Sequence, residues 1–336
     1  MEVLLPSYSK SESKEWARYN VKGQWSTLIS PFTEDDLIDE GGLRKNIRRI
    51  RSLGTSGVGC TWGMGEFWSL TFSEKIQIYD ILADESKGNW MIGAHVTHTS
   101  VKEMLNLASH VESLGFDLLM VAAPYMVTKT EQQVVEFVKI LAENTSLAIM
   151  FYNSPQFGIV MSPEGLKKIC DIPNVVGVKE ASFNKQLSID THILLGDKVL
   201  ISTPDEWIFA KGKELGFQQR VMFANTSDWR FDMPGKNNYV QFIDKAIEGN
   251  IDQDFYDLKI RPIKSISDKW WPRIVSSMNG VLPVSLCKYW GELMGMAGGH
   301  VRNPLLNMSD SDKLELKADL KDFRPSALDL LNLKKY

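Results

Sequence analysis

Two short apolar runs each end in a side chain that can do covalent or proton chemistry. Ile149-Met-Phe-Tyr-Asn-Ser-Pro155 delivers Tyr152, and Asn174-Val-Val-Gly-Val-Lys-Glu-Ala-Ser182 delivers Lys179. A lysine closing a β-branched strand (Val175, Val176, Val178) is costly as a buried ammonium unless it is paired or neutralised. At the C-terminal mouth of a parallel barrel the same desolvation is useful, because it lowers the amine pKa and makes the amine a nucleophile toward a carbonyl carbon. Attack on a keto carbon gives an iminium that draws electrons from the adjacent carbon, where a C–C bond can then break or form. Tyr152, from the preceding strand, would shuttle the protons. An ordinary phenol has a pKa of about 10, so that role needs a cationic neighbour, and Lys179 or its iminium supplies one. Glu180 follows on the strand and points the opposite way, as a structural group. The plainer readings are a solvated strand-end lysine and a tyrosine that only packs at the mouth.

The elements that must position this pair are legible as a repeat. Short apolar runs alternate with longer amphipathic segments over eight units, the pattern of βα repeats. Strands are expected at Gly23–Pro31, Gly57–Cys60, Trp90–Ala94, Phe116–Val121, up to Tyr152, up to Lys179, Lys198–Ser202 and Arg220–Phe223. No glycine-rich dinucleotide fingerprint follows the first strand, which favours a closed (β/α)8 TIM barrel over an open doubly wound sheet. The expected organisation is a polar lead-in (1–21), the barrel (22–235), a C-terminal helical region (236–320) and a polar tail (321–336) with a leucine cluster at Leu328, Leu330, Leu331 and Leu333. Ser73 is the expected N-cap of the second barrel helix. In the C-terminal region helices are expected at Tyr239–Glu248, Asp252–Arg261 (stopped by Pro262) and Asp310–Leu320.

Composition narrows the function classes. The chain of 336 residues has a formal net charge of −4, which argues against nucleic acid as the main partner. Cys60, Cys170 and Cys287 have no C-x-x-C spacing, as suits a cytoplasmic protein. No long apolar run reads as a membrane span, and the start of the chain has an early acid and too short an apolar run for a signal peptide. His95 and His98 end the third strand on opposite faces. A metal site is therefore not expected, and His95 is instead a candidate acid–base group at the rim. The ten tryptophans, several near strand ends, suit either core packing or an aromatic-lined pocket.

Tyr-Asn-x-Pro followed by Gly-Val-Lys-Glu-Ala-Ser resembles the dihydrodipicolinate synthase / N-acetylneuraminate lyase family of class I, Schiff-base aldolases. Gln24–Phe32, Ser113–Tyr125 and Val301–Ser309 resemble further segments of it, so the likeness spans about residues 22–320. The resemblance implies a TIM barrel, an imine on Lys179, Tyr152 as proton shuttle, no organic cofactor or metal, and a homotetramer built as a dimer of dimers. Trp62-Gly-Met-Gly-Glu66 corresponds to the family's Gly-Thr-Thr-Gly-Glu, which holds the substrate carboxylate and relays protons. Here Gly63 and Met64 stand where the hydroxyls would be. Backbone N–H groups of Gly63, Met64 and Gly65 could still bind an anion, but the hydroxyl relay is lost. Met126 stands where a second tyrosine would reach a neighbouring subunit, and Gln156-Phe157 where synthases carry an arginine. Asp205-Glu206 resembles an acidic pair that contacts substrate or caps a helix, and Val221 the strand-eight position lining the imine pocket.

These departures point away from the synthase itself and toward a lyase joining or separating a pyruvate-like 2-oxo acid and an apolar or aromatic aldehyde, as hydratase-aldolases do. Two alternatives stay open: a Schiff-base dehydratase or deaminase of a sugar acid or cyclic imino acid, and a barrel that binds a small molecule without turnover.

Overall fold

A computed structural model describes residues 6–326 and 329. The residues of the tail's leucine cluster lie outside the described set. Eight parallel strands, β1 (Gly23–Thr27), β2 (Gly57–Cys60), β3 (Met91–His95), β4 (Leu118–Ala122), β5 (Ala148–Asn153), β6 (Val175–Glu180), β7 (Leu200–Ser202) and β8 (Val221–Phe223), run in the order β7-β6-β5-β4-β3-β2-β1-β8. Between β7 and β8 side chains continue the pairing. Ser202 Oγ accepts from the Phe223 amide at 2.8 Å, and Gln219 accepts from the Thr203 amide at 2.6 Å and donates to its carbonyl at 3.1 Å. The expected (β/α)8 barrel is therefore the architecture, with helices beyond it.

In chain order the helices are α1 (Ser13–Asn20), α2 (Glu40–Ser52), α3 (Phe72–Ser86), α4 (Val101–Ser113), α5 (Glu131–Glu143), α6 (Pro163–Cys170), α7 (Lys185–Leu195), α8 (Trp207–Leu215), α9 (Ser227–Phe231), α10 (Asn238–Ile247), α11 (Gln253–Phe255), α12 (Arg261–Ser277), α13 (Val284–Leu293) and α14 (Asp310–Asp319). Local chemistry explains their ends. Thr71, not Ser73, caps α3: its hydroxyl accepts from the Glu74 amide while the Glu74 carboxylate accepts from the Thr71 amide, a reciprocal capping box. Asp39, Ser100, Thr130, Ser162 and Asn184 cap α2, α4, α5, α6 and α7 with side-chain oxygens.

The lead-in packs on the barrel and carries α1, and its anchors lie at the N-terminal ends of the strands. Tyr8 Oη accepts from the Ala148 amide at 2.8 Å, Lys10 Nζ donates to the Ala142 carbonyl at 2.7 Å, and Ser13 Oγ to that of Pro173 at 3.1 Å. Contrary to the expected stop, Pro262 lies within a continuing helix. A π-helical turn over Tyr256–Ile260 leads into α12, where Pro262 occupies the first turn and the Arg261 amide before it still donates to the Tyr256 carbonyl. Pro262 has no amide to donate, but its fixed φ suits the first turn. Packing holds this continuation. Ile263, Trp270 and Ile274 of α12 are buried with Leu286 and Trp290 of α13 and Leu316 of α14.

Candidate active site

The β5–β6 register places Tyr152 directly beside Lys179, and the next strand brings Ser202 to the lysine's other side. Lys179 is 1% exposed. Its Nζ lies 4.6 Å from the Tyr152 ring centroid and 4.9 Å from that of Trp62. Aromatic faces are a weak substitute for water, and desolvation lowers the amine pKa to about 7. At neutral pH about half of the amine is free base, against fewer than about one in a thousand for an ordinary lysine. Tyr152 is also buried, and burial pushes its phenol well above the usual tyrosine value, so it holds its proton. Its neighbour Asn153 points outward and ties down the following loop: Nδ2 donates to the Met161 carbonyl at 3.2 Å and Oδ1 accepts from the Met161 amide at 2.9 Å.

Gly63–Gly65 forms a single tight helical turn. The Gly65 and Glu66 amides close it onto the Trp62 and Gly63 carbonyls, whereas those of Gly63 and Met64 donate to no backbone carbonyl among the described residues. A Cβ on Gly63 would come within 3.7 Å of the Tyr152 hydroxyl and 2.9 Å of Leu282 Cδ1. The turn is thus beside the tyrosine, and Leu282 occupies the space that a hydroxyl-bearing residue at 63 would need. Met64 is buried. Gly65 is held by Ser30, whose Oγ donates to its carbonyl at 2.8 Å. Phe157 packs edge-on against Tyr152, ring centroids 5.0 Å apart, and also approaches Phe67 and His95.

His95 is buried in this aromatic cluster. Its Nε2 is 2.9 Å from Thr97 Oγ1, its Nδ1 has no partner, and burial lowers its pKa to about 3, so the ring is neutral. Among the described residues no group of three His, Cys, Asp or Glu side chains is arranged to hold a metal ion. The remaining candidates stand apart from the amine. Met126 is 75% exposed with φ of +68°. Val221 begins β8, level with Gly23, and it is Phe223, at the end of that strand, whose ring lies 5.5 Å from that of Trp62. Asp205 lines a separate cavity that includes neither Lys179 nor Tyr152.

The sequence reading named Trp62 only among several tryptophans that could line an aromatic pocket, and it did not single out Phe223 or Leu282. A signal for the indoles was available in Gly57-Val-Gly59. Alternate glycines on one strand face leave room for large side chains, and a Cβ at Gly57 or Gly59 would come within 2.6 Å of Trp25 or 2.1 Å of Trp62. Nor did it find the anchor of the turn. Glu66, in a left-handed conformation at φ +54°, forms a fully buried ion pair with Lys288 of α13. Lys288 Nζ also donates to the His300 carbonyl at 2.6 Å. Replacing one partner strands the other's charge, so Lys288→Met is expected to destabilise the protein by about 3–5 kcal/mol in urea unfolding, and Glu66→Gln/Lys288→Met by much less.

A model of the dihydrodipicolinate synthetase family matches residues 20–323. The chain belongs to that family. Members are class I, Schiff-base aldolases and lyases, with the imine on the lysine as electron sink in place of an organic cofactor or metal. The 4-hydroxy-tetrahydrodipicolinate synthase of Methanosarcina acetivorans is 28% identical over 303 residues, covering 89% of this chain and 97% of its own. In fold the chain is similar to a prophage protein of the dihydrodipicolinic acid synthase family from E. coli K12, solved in complex with pyruvate (TM-score 0.77, 18% identity, 90% and 98% of the two chains covered). It is also similar to CdNal from Clostridium difficile, solved in complex with mannosamine (TM-score 0.69, 19% identity, 90% and 99% covered). Among the described residues no helix is long and apolar enough to cross a membrane.

Proposed function

We propose that this family member joins or cleaves a C–C bond between a pyruvate-like 2-oxo acid, bound as an imine on Lys179, and an apolar or aromatic aldehyde. The observation that carries this reading is the apolar lining: Trp62 faces the Lys179 amine, Phe157 packs on Tyr152, and Leu282 fills the space beside Gly63 next to the Tyr152 hydroxyl, where relay groups would serve a charged second substrate. The free amides of Gly63 and Met64 are suited to the 2-oxo acid carboxylate, and pyruvate in the E. coli K12 relative supports that choice of donor. An aldehyde carboxylate would be desolvated here without a partner, which costs far more than burying a ring.

The test is pyruvate consumption with paired aldehydes. Benzaldehyde is expected to give at least a tenfold higher kcat/KM than succinic semialdehyde, about 1.4 kcal/mol of discrimination. The opposite order would contradict the apolar reading while leaving the imine intact. A homotetramer belongs to the same proposal. Exposed Met126 and Val127, in the loop after β4, are the side chains offered for the neighbouring subunit.

A further inference from the structure

A cavity of about 390 Å³ lies where the ends of β6, β7 and β8 meet α12. Glu180 lines it and Lys179 does not. Neighbouring side chains on a strand point to opposite faces, so the cavity is across the barrel wall from the amine. Its volume is in the range of small-molecule pockets.

Two buried groups in it lack the partners their chemistry asks for. Arg230 is 3% exposed. Its Nε donates to the Thr226 carbonyl and a terminal nitrogen to Ser267 Oγ, each at 3.2 Å. It forms no ion pair among the described residues, and Asp228 and Glu206 act on it only at a distance. A buried guanidinium without an anion is costly, and its planar fork matches a carboxylate. Glu206 is 7% exposed and its Oε1 has no hydrogen-bond partner. Burial, then the neighbouring Asp205, raises its pKa. Lys264, also in the lining, is already paired with Asp268. Two indoles are also in the lining: Trp271, whose ring centroid lies 5.4 Å from the Arg230 guanidinium, and Trp207, over whose ring the Lys185 ammonium lies at 5.2 Å.

We propose that this cavity is a second binding site, for a small aromatic carboxylate with a hydrogen-bond donor at its far end, of the hydroxybenzoate kind. The carboxylate meets Arg230 beside Ser267, the ring lies against the indoles, and the donor reaches the free oxygen of Glu206. The site is distinct from the imine site and does not rest on the reaction proposed there.

Calorimetric titration with 4-hydroxybenzoate and benzoate tests it. The full-length protein is expected to bind 4-hydroxybenzoate with a Kd below about 1 mM. Lys179→Ala should change that value less than about twofold, because the sites do not overlap. Arg230→Met should weaken binding at least about tenfold. Should that variant fail to fold, Ser267→Leu, which puts bulk in front of the guanidinium, carries the same expectation. The hydroxyl should favour 4-hydroxybenzoate over benzoate by about threefold to tenfold, an advantage lost in Glu206→Gln. No binding at millimolar concentration overturns the proposal. So does binding that survives Ser267→Leu and disappears in Lys179→Ala.

Discussion

Lys179→Met is expected to lower turnover by at least about four orders of magnitude, because the nucleophile that forms the covalent intermediate is gone. The same variant should be more stable than the wild type. In the unfolded chain the amine keeps its proton up to about pH 10.5, but in the fold only up to about 7. Between those values the unfolded state binds more protons, so wild-type stability rises with pH across that window. Below pH 7 both states are protonated, and the full cost of holding a buried ammonium is present. Methionine removes it, so at pH 6 the variant should gain about 3–5 kcal/mol in urea unfolding, a gain that shrinks toward pH 10. Lower activity together with higher stability marks a functional lysine. A lysine that merely capped β6 would leave turnover and stability nearly unchanged.

Tyr152→Phe should have the second largest effect. The ring stays, so the packing against Phe157 and the face presented to Lys179 are kept. The proton shuttle is lost, and kcat is expected to fall by about 10²–10³-fold with little change in stability. The acid limb of the wild-type pH–rate profile should fall near pH 7, where Lys179 gains its proton. It should persist in Tyr152→Phe, whose residual rate still depends on a free amine. A kcat within about threefold of wild type in the folded variant would remove Tyr152 from the chemistry.

The barrel was readable because each strand announces itself locally. Gly57–Cys60 is bounded by its glycine and by the turn at Thr61, and β6 by a β-branched run that ends beside a charged pair. The C-terminal region was less readable, because tertiary packing decides it. Pro262 removes an amide, as the sequence rule says, but the burial of Ile263, Trp270 and Ile274 carries the chain onward into α12. The same holds within the site. Lys179 and Tyr152 were identifiable because neighbouring strands place equivalent ends together. Leu282, Phe223 and Lys288 come from distant segments with no local motif, and only the fold brings them to Gly63, Trp62 and Glu66 around the turn. Asp205 shows the converse. Its likeness to an acidic pair offered a substrate contact or a helix cap, yet its loop turns it into the cavity beneath α12.

The most direct test is reductive trapping. The protein is incubated with pyruvate and sodium borohydride at pH 8, where the Lys179 amine is mostly free base, and intact mass and peptide mapping follow. The account predicts a single pyruvate-derived adduct per chain, on Lys179, absent from Lys179→Met and formed more slowly in Tyr152→Phe. An unmodified Lys179 at saturating pyruvate, or an adduct on another lysine such as the buried Lys75, would contradict it.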